Sequence, residues 1–188
     1  MKYIVIFSGS PSALSRTEQM LYYLGRRAEQ QGFAVKHLSV KDVEAEVLLS
    51  ANFNHDKIKA IATELEAADG VIIGSPVYKA SYSGVLKALF DLLPPDILKD
   101  TYVLPVMTGG STSHLLALEY ALKPLIATVK GHNLKGLYFQ DSDIDKTADK
   151  LIVNENLRQR TERQLAYFLG KIQGHQDEPI KVGHRAKP

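Results

Sequence analysis

Short, continuous apolar runs separated by amphipathic stretches constrain this chain most. Strong runs stand at 3–7 (YIVIF), 71–73 (VII) and 102–107 (YVLPVM), and weaker ones at 33–38 (FAVKHL) and 134–139 (LKGLYF). A strand with one face in water alternates apolar and polar residues. A continuous run needs cover on both faces, as in a parallel sheet between helices.

The stretches between the runs carry helical spacing. Met20, Leu21, Leu24 and Ala28 share one stripe within 16–31, and Ile58, Ile61, Ala62, Leu65 and Ala68 share another within 56–68. Val85, Leu86, Leu89, Phe90 and Leu93 do the same within 84–93, and a last helix is expected near 151–173. Spacings of three and four place these residues on one face of a helix. Strand and helix thus alternate about five times. The expectation is an α/β protein: a flavodoxin-like three-layer sandwich on a five-stranded parallel sheet of order 2-1-3-4-5. One domain is expected over 1–173, with a polar tail at 174–188. Pro105 falls inside a predicted inner strand, where a missing N–H is ordinarily excluded.

Composition narrows the function classes. With 23 Lys and Arg against 21 Asp and Glu, the net charge of +2 argues against nucleic acid as a partner. The chain has no cysteine, which excludes a thiolate nucleophile, a disulfide and Cys-ligated metal. No apolar run approaches the roughly 20 residues of a membrane helix, so no membrane partner is expected. The first apolar run is too short for the core of a secretion signal, and a cytoplasmic protein is expected.

In an open parallel sheet, ligands bind beyond the carboxyl ends of the strands. Three loops build that edge here. The first, 8–17 (SGSPSALSRT), is rich in hydroxyls and then opens a helix, whose free N–H groups favour an anion. It fits neither GxGxxG nor GxxxxGK[ST], so it suits a single phosphomonoester, such as that of FMN. A plain Ser15 helix cap explains the same residues. The second loop, 74–84 (GSPVYKASYSG), offers flat Tyr and Pro surfaces, the cation Lys79 and a capping Ser83. Surface tyrosines on a turn are the alternative. The third, 108–114 (TGGSTSH), has two glycines that admit close backbone approach, with Ser113 as the expected cap of the next helix. His114 is either a helix-start residue or a ligand contact.

The segments GSPSALSRT, SPVYKASYSGVLKALFDLLP and LPVMTGGSTSHLLALEYALKP resemble the NAD(P)H-dependent FMN reductases, in particular the flavin reductases of two-component alkanesulfonate monooxygenase systems. The resemblance runs from the first strand to roughly residue 140. It implies a flavodoxin-like fold that binds FMN and reduces it with NADPH or NADH. It places Ser8, Ser10, Ser15, Arg16 and Thr17 at the phosphate, and Pro76, Val77, Tyr78 and Lys79 along the isoalloxazine. Thr108, Gly109 and Gly110 would face the ring's other edge, with Ser83 near the pocket floor. The chain departs from the family where Arg often follows the Ser-Pro pair: Ser12 stands there, and Arg16 comes later.

No acid–base triad is expected, because the cofactor carries the chemistry and the protein positions it. Lys79 is the one candidate for a catalytic side chain, stabilising reduced flavin or meeting the NADPH phosphate.

Residues 114–129 are apolar almost all round, which predicts a second buried side, met by another subunit. Pro124 lacks the N–H that would serve the carbonyl of Tyr120, and an i to i+5 π-turn is one repair. The resemblance places the matching Tyr in a π-helical insertion at a tetramer interface. It links that feature to loose flavin binding and release of reduced FMN to a monooxygenase. A homotetramer, a dimer of dimers, is therefore expected.

Asp141, Asp143 and Asp145 begin like a calcium loop, but Lys146 and Ile152 stand where its glycine and bidentate Glu belong, so no metal is expected. The competing readings are a reductase that keeps its FMN and acts on quinones or azo compounds, a flavodoxin-like electron carrier, and a phosphate-binding module without flavin.

Overall fold

The structure, a computed structural model, describes residues 1–13, 15–148 and 150–174. Strand β1 (Tyr3–Ser8) leads through α1 (Arg16–Gln30) to β2 (Ala34–Ser39). A short helix α2 (Ala45–Leu49) and α3 (Asp56–Glu66) precede β3 (Gly70–Pro76), and α4 (Gly84–Phe90) precedes β4 (Tyr102–Gly109). Then come a π-helical turn (Leu118–Leu122), α5 (Lys123–Thr128), β5 (His132–Asn133), β6 (Leu137–Gln140) and α6 (Glu155–Gln173).

All strand pairs are parallel, in the order β2-β1-β3-β4-β5, with β6 also on β4. The expected order holds, but the fifth position is shared by two short strands. β5 pairs with Tyr102 and Val103, and β6 with Val106 to Gly109. The break faces Pro105. Leu134 donates to the carbonyl of Val103 at 2.9 Å, so the odd residues of β4 point their polar groups toward β5 and β6. The N–H that Pro105 lacks would point the same way, and the fifth strand leaves the ladder there. Gly136 makes the detour at φ +82, where an added Cβ would stand 2.9 Å from both Cγ and O of Pro105.

Each face of the sheet has its own core. On one, Val5, Phe7, Val71 and Ile73 meet Leu65, Leu86, Leu89 and Ile126. On the other, Ile4, Ile6 and Ile72 meet Met20, Leu21 and Leu24 of α1 and Leu165 and Phe168 of α6. These residues are the continuous runs and the helical stripes of the sequence. Truncation at fully buried Phe168 would cost about 3–5 kcal/mol.

The stretch 114–129 is not one regular helix. A 3-10 turn at Thr112–Leu115 is capped by Ser111, whose hydroxyl accepts from the N–H of Ser113 at 3.2 Å. Ser113, the expected cap, is the donor instead. The π-turn follows, with the N–H of Lys123 bonded to the carbonyl of Leu118, and α5 then starts at Lys123 with Pro124 in its first turn. The expected tail lies outside the described residues, except Gly174, which caps α6 in the left-handed conformation.

Candidate functional site

The first, second and third loops leave β1, β3 and β4 at one edge of the sheet and are locked together by hydrogen bonds. The N–H of Gly9 donates to the carbonyl of Gly74 at 2.7 Å. The hydroxyl of Ser83 donates to the carbonyl of Gly9 at 2.5 Å and accepts from the N–H of Leu86 at 3.1 Å, so one buried side chain joins the first loop and caps α4. The Ser75 hydroxyl holds the N–H of Ser83 at 2.9 Å. The N–H of Val77 reaches the carbonyl of Thr108 at 2.7 Å. The hydroxyls of Thr17 and Thr108, both buried, share a 2.6 Å bond that ties α1 to the third loop.

Most of the hydroxyls singled out in the first loop are engaged with the chain itself. Those of Ser8 and Ser10 accept from the N–H groups of Ser10 and Ser12, each at 3.3 Å, and so fold the loop back on itself. The Ser15 hydroxyl caps α1 by accepting from the N–H of Glu18 at 3.0 Å, and its own proton remains to be given. Arg16 is exposed and makes no ion pair among the described residues. Glu18, buried in the first turn of α1, would repel an anion there. Lys41 neutralises it at 2.6 Å.

In the second loop, Pro76 and Val77 are partly buried, and Tyr78 is 47% exposed. Tyr78 and Ser81 exchange backbone bonds across a tight turn. Its central residues, Lys79 and Ala80, both have positive φ, +50 and +64. Neither is glycine, so the turn holds strain and sets Lys79 at its tip.

In the third loop, Gly109 is buried and Gly110 exposed. A Cβ on Gly109 would stand 2.8 Å from the hydroxyl oxygen of Tyr138 and 3.4 Å from Nδ1 of His114. Tyr138 donates to the carbonyl of Ser111, and burial together with Asp141 and Asp143 raises its phenol above the usual range. His114 Nδ1 is buried with no partner. Sequence reasoning gave no role to Ser75 or Tyr138. Ser75 looked like any loop serine, and Tyr138 like any strand aromatic.

Two of the three aspartates that open like a calcium loop serve local backbone. Asp143 accepts from the N–H of Gln140 at 2.8 Å, and Asp145 from that of Thr147 at 2.8 Å. Among the described residues, no group of three or more His, Asp or Glu is placed to hold a metal ion. No described helix is long and apolar enough to cross a membrane.

Sheet order and loop placement together define a flavodoxin-like protein with its ligand edge at the ends of β1, β3 and β4. Comparison with known proteins makes this specific. The sequence model of the NADPH-dependent FMN reductase family matches residues 1–144. An FMN reductase (NADPH) of Escherichia coli is 37% identical over 88% of this chain and 87% of its own length. The NADH-dependent FMN reductase SfnE of Pseudomonas putida is 30% identical over 88% of this chain and 91% of its own. The solved NADH:FMN oxidoreductase EMOB superposes with a TM-score of 0.82 at 30% identity, covering 95% of this chain and 92% of its own. The chain belongs to the NADPH-dependent FMN reductase family. It is an oxidoreductase that uses NADPH or NADH with FMN.

Proposed function

We propose that the protein takes FMN as a dissociable substrate, reduces it with NADPH, and hands reduced FMN to a flavin-dependent monooxygenase in the cytoplasm, in the assimilation of sulfur from sulfonates. The observation that carries this reading is the π-turn at Leu118–Leu122, with Tyr120 78% exposed within it. It is the feature that the resemblance to sulfonate-system reductases links with flavin release.

FMN supplies the acceptor for a hydride from the nicotinamide, and the residues of this chain hold and screen it. The phosphate would lie against the N-terminus of α1, held by Ser15, Arg16 and backbone N–H groups of the first loop. Ser8, Ser10 and Thr17 keep that loop in shape. Pro76, Val77, Tyr78 and Lys79 would run along the ring, with Thr108, Gly109 and Gly110 at its far edge and Ser83 beneath. The buried, unpartnered Nδ1 of His114 beside Gly109 supports this placement, and position 109 must be glycine because Tyr138 and Val77 pack where a Cβ would stand. Lys79, at the tip of the strained turn, would face the negative charge that reduction places on the ring.

Leu115, Leu116 and Tyr120 are exposed on a single chain. Tyr120 also borders a 630 Å³ groove toward α4. This is the surface we assign to a homotetramer. Sedimentation of the wild type and of Tyr120→Ala tests it: a tetramer weakened by the substitution supports the assignment, and a wild-type monomer ends it. The function is tested by reduced-flavin transfer. Added monooxygenase should accelerate turnover, with FMN behaving as a saturable substrate. A tightly held flavin that ignores added FMN would turn the reading toward a quinone or azo reductase.

A further inference from the structure

A cavity of about 370 Å³ lies between α1 and the start of α6, bordered by the segment before α6. Its lining includes Gln19, Tyr23, Arg26, Arg27, Lys150 and Arg158. Four cations thus face two carboxylates. Glu155 and Glu162 are both held by Arg158, and Arg27 approaches Glu162 at 3.5 Å. Arg26 makes no ion pair among the described residues, and Lys150 acts on Glu155 only at longer range. The cavity therefore keeps uncompensated positive charge at two exposed side chains. The hydroxyl of Tyr23 is buried with no partner, under the guanidinium of Arg27, which stacks on its ring at 5.4 Å. A buried hydroxyl without a partner is costly unless something satisfies it in use.

The cavity is in line with the flavin edge. Arg16, Gln19, Tyr23 and Arg27 follow one another at spacings of three and four, and so share one stripe of α1. Arg26 stands beside that stripe, about 15 Å along the axis from Arg16. The stripe thus leads from the phosphate end of the flavin edge to the cavity. What the cavity offers is charge suited to a phosphomonoester.

We propose that this cavity binds the 2′-phosphate of NADPH, with Arg26 and Lys150 as the residues that favour NADPH over NADH. The inference rests on the FMN reductase reading above. It is tested first by calorimetric titration, which needs no turnover. A protein that binds as expected but fails to use FMN as a substrate would strike the function and leave the cavity standing. The wild type should bind 2′,5′-ADP about tenfold or more tightly than 5′-AMP. Arg26→Gln and Lys150→Gln should each remove most of that difference. Both side chains are exposed, so both variants should fold. In steady-state assays, the ratio of kcat/KM for NADPH to that for NADH should fall about tenfold in each, and Arg26→Glu should favour NADH outright. Equal binding of 2′,5′-ADP and 5′-AMP would overturn the proposal. So would an unchanged ratio in the variants, or a fall in the ratio with Lys79→Gln in their place. Competition by inorganic phosphate as strong as by 2′,5′-ADP would make this a free-phosphate site and would equally overturn it.

Discussion

The ligand edge and the segment after it use backbone polarity in opposite ways. At the ends of β1, β3 and β4, loop hydroxyls are tied down by the chain itself: Ser83 to Gly9 and Thr17 to Thr108 across loops, and Ser8, Ser10 and Ser75 within their own. Between Thr112 and Thr128 the chain changes from 3-10 to π to α geometry and leaves Leu116 and Tyr120 to solvent. The first region holds one geometry because its hydrogen bonds are shared and buried, where losing one is costly. The second keeps an irregular ladder because Pro124 forbids the regular one, and its apolar side chains Leu115, Leu116 and Tyr120 stay exposed. Under the function proposed above, positioning and release would fall to these two separate regions.

Breaking the lock should have the largest effects. Gly9→Val is expected to be the worst. Even a single Cβ there would stand 2.9 Å from Leu86 Cδ2 and 3.1 Å from the carbonyl of Gly74. Urea unfolding should show a loss of about 1–3 kcal/mol, with FMN affinity abolished. Ser83→Ala removes a helix cap and a buried link to Gly9 together. About 1–2 kcal/mol of stability should go, and FMN should bind more weakly by fluorescence titration.

A subtler probe is Tyr138→Phe. It keeps the ring and deletes the bond to Ser111. Stability should fall by about 1 kcal/mol, and KM for FMN should rise more than kcat falls. The same phenol gives a pH signature. Its folded pKa is raised, so its contribution is complete below the unfolded value near 10 and is lost as pH climbs through the higher folded value. Alkaline unfolding of the wild type should be steeper than that of the Phe variant. The smallest effect, of opposite sign, belongs to Ala80→Gly. Relief of a positive φ should add up to about 1 kcal/mol of stability. A freer Lys79 should slow flavin reduction in stopped flow.

Much of this was legible in the sequence, for identifiable reasons. Burial on both faces gave β1, β3 and β4 their continuous apolar runs. The caps Ser15 and Ser83 stand where a hydroxyl meets the start of an apolar stripe. Pro124 announced the π-turn because a missing N–H has few repairs. Pro105 announced a defect but not its form, since which neighbour its nitrogen faces depends on strand register. The interlock was illegible for a related reason. A serine that lines a ligand and one that ties two loops look alike until residues 74 positions apart, such as Gly9 and Ser83, are seen to touch. The cationic cavity was hidden because Arg26 and Lys150 are joined only by the packing of α6 against α1.

The central claim is that FMN passes through this site as a substrate. The most direct measurement is NADPH oxidation by the purified protein, with and without added FMN, beside its visible spectrum. A colourless protein whose turnover requires added FMN and saturates with it is the predicted result. A yellow protein whose turnover is indifferent to added FMN would contradict the account.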